Sequence, residues 1–334
     1  MGQTADSSKP SLPKDPREVF AAAAPLYDFS DPALKPWHLK ATYQLYDEKG
    51  NPAEKGTFEY WWASPQVHRS TWTRPSATMT FWHTADGKSP VQSSGERGDR
   101  VEYVEEKLRD ALVSPLPTSA DLDPAKGSLY IETKSENGNT LSCIMLVPLL
   151  EQVAKDQKMP LGLFPTYCFD PQGLELRAMS SFANPMTVFD SGTKMQDRFL
   201  PRNVQIFEGQ AEVLSAKVDS VTYIDATDPA LTPTEPLDKF LVGSLVGQSV
   251  VTPVLDSRVE PIYPLAAKVS RITGTVVLKG MITKDGSVRN LRVISAPCVS
   301  LAESALTAVS QWRYRPALLN DKPVAMMTTI NVKY

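Results

Sequence analysis

Gln311-Trp312-Arg313-Tyr314-Arg315-Pro316 closes a helix and hands the chain to a last strand. Before it, residues 300–310 place apolar side chains at Leu301, Ala305, Ala308 and Val309, and Trp312 continues the series, the spacing of one helical face. Pro316 stops the helix, because it restricts Arg315 and has no N–H to donate. Upstream, residues 272–282 and 288–294 alternate apolar and polar residues around Lys284-Asp285-Gly286-Ser287. An Asp-Gly pair between two alternating runs predicts a hairpin. The expected order is short helix, strand, strand, helix, strand.

Five short motifs run through this region in order: Tyr263-Pro264, Ile272-x-Gly274-x-Val276, Asp285-Gly286-x-Val288, Ala308-Val309-x-x-Trp312-x-Tyr314-x-Pro316 and Pro323-Val324. Together they make residues 257–334 resemble the C-terminal domain of TonB-type energy transducers. The resemblance implies a small α/β domain with a three-stranded antiparallel sheet and two helices. It also implies that the last strand, 325–334, is the edge that receives a short extended segment of an outer-membrane receptor. Thr329, Ile330, Asn331, Val332, Lys333 and Tyr334 are then the peptide-binding candidates. Tyr263, Pro264, Arg313 and Tyr314 are candidates for contact with a partner or the cell wall. Trp312 shares the apolar helix face and is expected in the core.

A length of 334 residues predicts two domains, and 42% hydrophobic with 22% charged residues is the balance of a globular chain. No run reaches the roughly 20 apolar residues that span a bilayer. Residues 1–6 show no basic and apolar signal segment, so the envelope location that the resemblance implies carries the expectation that an export signal has been removed. The net charge of −3 is unevenly spread. From 257 onward, 11 Lys and Arg stand against 4 Asp and Glu, leaving 24 against 34 in the remainder. Either two independently soluble domains or an acidic partner for the basic one fits that split. The basic residues are dispersed along strands, which argues against nucleic acid.

Residues 1–35 are rich in Pro, Ala, Ser and Asp and read as a flexible lead-in with a short helix near 16–24. From His38 to Thr84, β-branched and aromatic runs separated by turn clusters predict an antiparallel meander. Residues 101–112 have helical spacing. Strands follow at 128–133, 163–169, 174–179, 198–207 and 210–224, with a helix expected around 146–154. Gly56-x-Phe58, Ser64-Pro65, Arg69, Phe169-Asp170-x-x-Gly173 and Leu200-Pro201 give 36–226 a weaker resemblance to the LolA-type lipoprotein-carrier fold. That resemblance implies a curved antiparallel sheet packed with helices, with lipid or lipoprotein on an apolar concave face. The whole chain is thus expected to be α+β, with a linker at 227–256.

Trp61, Trp62, Trp72 and Trp82 cluster in the first sheet, as core or as an apolar groove. Cys143 and Cys168 lie in one domain and are candidates for a disulfide in an oxidising compartment, with three buried thiols as the alternative. His38, His68 and His83 lack metal-ligand spacing. No nucleophile elbow, zinc-protease helix or phosphate loop is present, so neither catalytic residues nor a cofactor is expected. The reading is a non-enzymatic envelope protein that binds a protein or peptide, the alternative being a periplasmic lipid or lipoprotein carrier.

Overall fold

The structure is a computed structural model, and it describes residues 12–334 apart from 48, 96–97, 137–138, 153–158, 191, 234–238 and 241–249. Helix α1 (Pro16–Tyr27) begins at Asp15, whose carboxylate accepts the Arg17 N–H at 2.8 Å, and Pro16 fills the first turn where no N–H is needed. Val19, Phe20, Ala23 and Tyr27 are buried on one stripe, and Phe20 meets Tyr167 and Phe169 edge to face. The short helix expected near 16–24 is present and runs on to Tyr27, and its stripe is packed into the core. The alanine-rich stretch carries a core stripe in helical register.

Five strands follow as a meander: β1 (Trp37–Tyr46), β2 (Pro52–Ser64), β3 (Val67–Thr73), β4 (Ala77–His83) and β5 (Pro90–Gly95). Helix α2 (Asp99–Val113) leads to a second antiparallel series. Its strands are β6 (Gly127–Glu136), β7 (Asn139–Leu150), β8 (Thr166–Phe169), β9 (Leu176–Ser180), β10 (Met186–Phe189), β11 (Asn203–Glu208) and β12 (Ala211–Tyr223). Strand β12 returns along β1, Trp37 opposite Tyr223, and fuses both series into one sheet.

Two expectations fail here. Residues 146–150 belong to β7, because β6 offers a partner in register along the whole apolar run. Pro148 is tolerated beyond the stretch that pairs with β8. The single strand expected over 198–207 is broken at Pro201: Arg198–Leu200 joins a separate ribbon, and β11 restarts at Asn203.

Helices α1 and α2 cover one face of this sheet, the face that carries Trp37, Phe58, Trp62 and Trp72. A buried polar network locks α2 onto it. The Tyr43 hydroxyl and the Arg74 guanidinium both donate to Glu105, which is fully buried, and Arg74 also pairs with Glu54. Gly56 makes room for this network, since a Cβ there would lie 2.4 Å from the Tyr43 ring.

The C-terminal strands are β13 (Thr275–Ile282), β14 (Val288–Ala296) and β15 (Met326–Lys333), with α3 (Leu265–Val269) and α4 (Val299–Val309). Strand β13 lies between the other two, antiparallel to both. The three strands do not stand apart as a separate sheet. The end of β14 runs parallel to the end of β7, Ser295 opposite Leu149 and Ala296 opposite Leu150, so they extend the large sheet. Helix α4 buries Leu301, Ala302, Ala305 and Val309 in a second core. Met145, Val147, Met159, Leu163 and Phe164 belong to that same core, so it crosses the boundary expected at 227–256. That expected linker is docked at both described ends. Pro229–Leu231 lies on the back of β2 and β3, while Val250–Val251 and Val254–Ser257 pair with 317–319 and 313–315.

The back of the meander yields a pH prediction. His68 stacks on His83 at 5.0 Å, its Nδ1 is buried without a hydrogen-bond partner among the described residues, and burial pushes its pKa down to about 4. The unfolded imidazole titrates near 6.5 and binds the proton first, so stability present above about pH 6.5 is lost as pH falls toward 4. The expected loss is of order 2 kcal/mol over that window. Urea midpoints at pH 7 and pH 4.5 should show it, and His68→Gln should flatten the difference.

Candidate functional site

Strand β15 pairs with β13 alone among the described residues, so its other side is a sheet edge. Ile330 and Val332 are buried, whereas Thr329, Asn331 and Lys333 are exposed on the opposite face. The ladder fixes which backbone groups are free. Tyr334 and Gly274 exchange both N–H···O bonds, at 2.9 and 3.3 Å. In an antiparallel pair, bonded and non-bonded positions alternate. The pairing runs unbroken from Lys333 to Met326, so Val332, Ile330 and Thr328 bond inward. Met327, Thr329, Asn331 and Lys333 then turn their N–H and C=O groups outward.

The sheet face beside this edge is basic. Strands β13, β14 and β15 contain Lys279, Arg289, Arg292 and Lys333 and no Asp or Glu. Arg289 pairs with Glu208 at 3.2 Å, and Arg292 lies 3.6 Å from Asp121. Lys279 sits directly opposite Arg292 on one side and Thr329 on the other. It is half-buried and has no ion pair or hydrogen bond among the described residues.

Across from this face stand the end of α2 and the segment that follows it, enclosing a groove of about 930 Å³. Val277, Ile294, Met327 and Leu149 give it an apolar floor. Lys107 and Asp110 of α2 stand on the wall. Lys107 donates to Asn290 at 3.2 Å, and burial lowers its pKa. The hairpin between β13 and β14 is pinned to the start of α2: the Asp285 N–H donates to Asp99 at 3.1 Å, and Lys284 lies 3.5 Å from Glu102.

The other candidates fall in different places. Tyr263 donates to the Ile272 carbonyl at 2.8 Å and lies 5.9 Å from the Tyr334 ring, while Pro264 caps α3. Arg313 is exposed, and Tyr314 binds the Gly286 carbonyl through its N–H. The first pair thus sits at the Tyr334 end of β15 and the second at the hairpin end, so these four residues form no single patch. Trp312 is buried, with its indole N–H on the Val259 carbonyl at 2.9 Å.

None of the four meander tryptophans lines this groove; all four are buried, in keeping with the core alternative of the two readings. Trp62 and Trp72 face α1 and α2 in the first core. Trp61 and Trp82 are covered from the back by the Arg69 guanidinium, 4.3 and 5.4 Å from their rings, and the Trp82 N–H reaches the Ala230 carbonyl. Cys143 and Cys168 face each other on β7 and β8 and are joined by a disulfide, with Cα atoms 3.9 Å apart; Cys298 is free and buried. Sequence reasoning missed the groove and Lys279. The available signal was three strands with four basic residues and no acid.

Residues 259–334 match the family described as Gram-negative bacterial TonB protein C-terminal. Protein TonB of Klebsiella pneumoniae is 40% identical over 60 residues, 18% of this chain and 25% of that protein. Protein TonB of Vibrio cholerae is 29% identical over 82 residues, 24% of this chain and 34% of that protein. The chain spans about a quarter to a third of these relatives. Among solved structures, a DUF1329 family protein from Desulfovibrio piger overlaps 65% of this chain and 94% of its own at 10% identity and a TM-score of 0.39. A LolA superfamily protein from Nitrosomonas europaea overlaps 65% and 97% at 6% identity and a TM-score of 0.33. Neither overlap is close enough to bear on function. Among the described residues, no helix is long and apolar enough to cross a membrane.

Proposed function

We propose that this is a non-enzymatic protein of the bacterial envelope that binds an extended protein segment by strand addition at β15. One observation carries the reading: among the described residues the outer side of β15 is unpaired, and it presents four outward-facing N–H and C=O pairs, from Met327 to Lys333. Such an edge supplies affinity through the main chain and selectivity through its neighbours. The match of 259–334 to the TonB C-terminal family supports a periplasmic partner, such as a segment of an outer-membrane receptor. The alternative, a lipid or lipoprotein carried on the N-terminal sheet face, has less room, because α1 and α2 fill that face.

The test uses the backbone donor at Asn331. Asn331→Pro removes one outward N–H while leaving the inward ladder of Val332 and Ile330 intact. Affinity for synthetic receptor segments, measured by calorimetry, should fall at least about tenfold, equivalent to about 1.4 kcal/mol. Asn331→Ala keeps the donor and should bind as the unaltered protein does. A folded Asn331→Pro protein with unchanged affinity would move the site off β15.

A further inference from the structure

The groove between α2 and the C-terminal strands is unexplained by strand addition, which needs only the edge. Its floor is one face of the sheet, formed by β7, β14, β13 and the edge strand β15. Within it β13 is paired on both sides, so free backbone groups remain only along the outer side of β15 and along β14 before Ser295. The floor offers apolar side chains, with Leu149 49% and Met327 46% exposed, and Val277 and Ile294 between them. Among these lies Lys279, a half-buried residue cross-strand from Arg292. Like charges placed directly opposite one another destabilise a sheet. Such an arrangement is favourable when an anion bridges it.

We propose that this groove binds a single-chain amphipathic carboxylate of the fatty-acid class, its head group on Lys279 and Arg292 and its chain along Val277, Ile294, Leu149 and Met327. The volume of about 930 Å³ is within the range of small-molecule sites. An acyl chain suits the floor better than a peptide does. Across β13, which is paired on both sides, a peptide would bring amide groups against apolar side chains with no backbone partner, and each unsatisfied amide costs binding energy. Charge complementarity selects the acid over a neutral chain. No acidic residue stands on the three strands beneath; Asp110, Asp121 and Asp123 line the groove elsewhere, against Arg17, Lys107, Lys126, Lys279 and Arg292, and Asp121 is the carboxylate that the fatty acid would join at Arg292.

Dodecanoate and dodecanol are the probes, titrated into the full chain below their micellar concentrations in competition with a dansyl-labelled undecanoic acid. Dodecanoate should bind about tenfold more tightly than the alcohol, as expected for a hydrogen bond to a charged group. Lys279→Ala should bring the acid down to the alcohol's affinity, and Lys279→Glu should reverse the order. Ile294→Asn should weaken both ligands. Thermal unfolding of each variant confirms that it is folded, and Lys322→Ala, at an exposed position of the short strand Lys322–Val324, should change nothing. Equal binding of acid and alcohol, or acid binding that survives Lys279→Glu, overturns the proposal. So does an acidic peptide that displaces the dansyl probe better than dodecanoate does. Asn331→Pro should leave dodecanoate binding intact, so the groove and the strand edge fail or stand separately.

Discussion

Arg74→Met is expected to destabilise the protein by about 3–5 kcal/mol, the usual effect of removing one partner from a buried ion pair. The Arg74 side chain is only 5% exposed, and the Glu105 carboxylate it meets at 3.1 Å is fully buried on α2. Removing the guanidinium leaves a negative charge under α2 with the Tyr43 hydroxyl still donating to it. The carboxylate must then draw in water, which loosens α2 from the sheet. Urea unfolding followed by far-UV circular dichroism should show a lower midpoint at an unchanged slope. Adding Glu105→Leu should recover a large part of the loss, because the uncompensated charge is the main cost. A fall below about 1 kcal/mol in the single variant would mean that the network is wetter than its burial indicates.

Gly286→Ala should cost about 3 kcal/mol, from two sources that a control separates. Gly286 sits at φ +80°, and a Cβ there would lie 1.9 Å from the Tyr314 carbonyl oxygen. That oxygen is backbone, and the Tyr314 N–H is already held by the Gly286 carbonyl at 2.9 Å, so neither side can yield without opening the hairpin. Gly50 has nearly the same φ, +81°, with nothing within 4 Å of its Cβ position. Gly50→Ala therefore reports the conformational cost alone, about 1–2 kcal/mol. If the two variants lose equal stability, the close approach of the hairpin to Tyr314 contributes nothing.

The same glycine shows what the sequence made legible. Asp285-Gly286 between alternating runs, and the apolar face from Leu301 to Trp312, are local patterns, and the hairpin and α4 follow from them directly. The alternation of Ile330 and Val332 with Thr329, Asn331 and Lys333 likewise appears as buried and exposed faces of β15. What escaped was decided at long range. Residues 146–150 are strand because β6 lies alongside, and nothing within the apolar run itself distinguishes that from a buried helix. The stripe of α1 is masked by alanines that are apolar on every side. The groove is built from residues near 107, 149, 279, 294 and 327, which no local pattern connects. The boundary expected at 227–256 marks a change in composition, and cores form by contact, so Met145 and Phe164 fell on the unexpected side of it.

The shared second core has a consequence for synthesis. Met145, Val147, Leu163 and Phe164 leave the ribosome long before the residues that cover them, Val276, Leu301 and Val332 among them. The first sheet can close once β12 has been made and has met β1. For the interval in which the last hundred or so residues are translated, the nascent chain carries a finished sheet with one apolar shoulder bare. That shoulder is a template for α4 and its strands when they arrive, and a point of adhesion for other nascent chains until they do. The order of translation therefore makes the C-terminal residues the guardians of a surface built early, and a chain stopped short of Val276 would remain sticky even though its first sheet is complete.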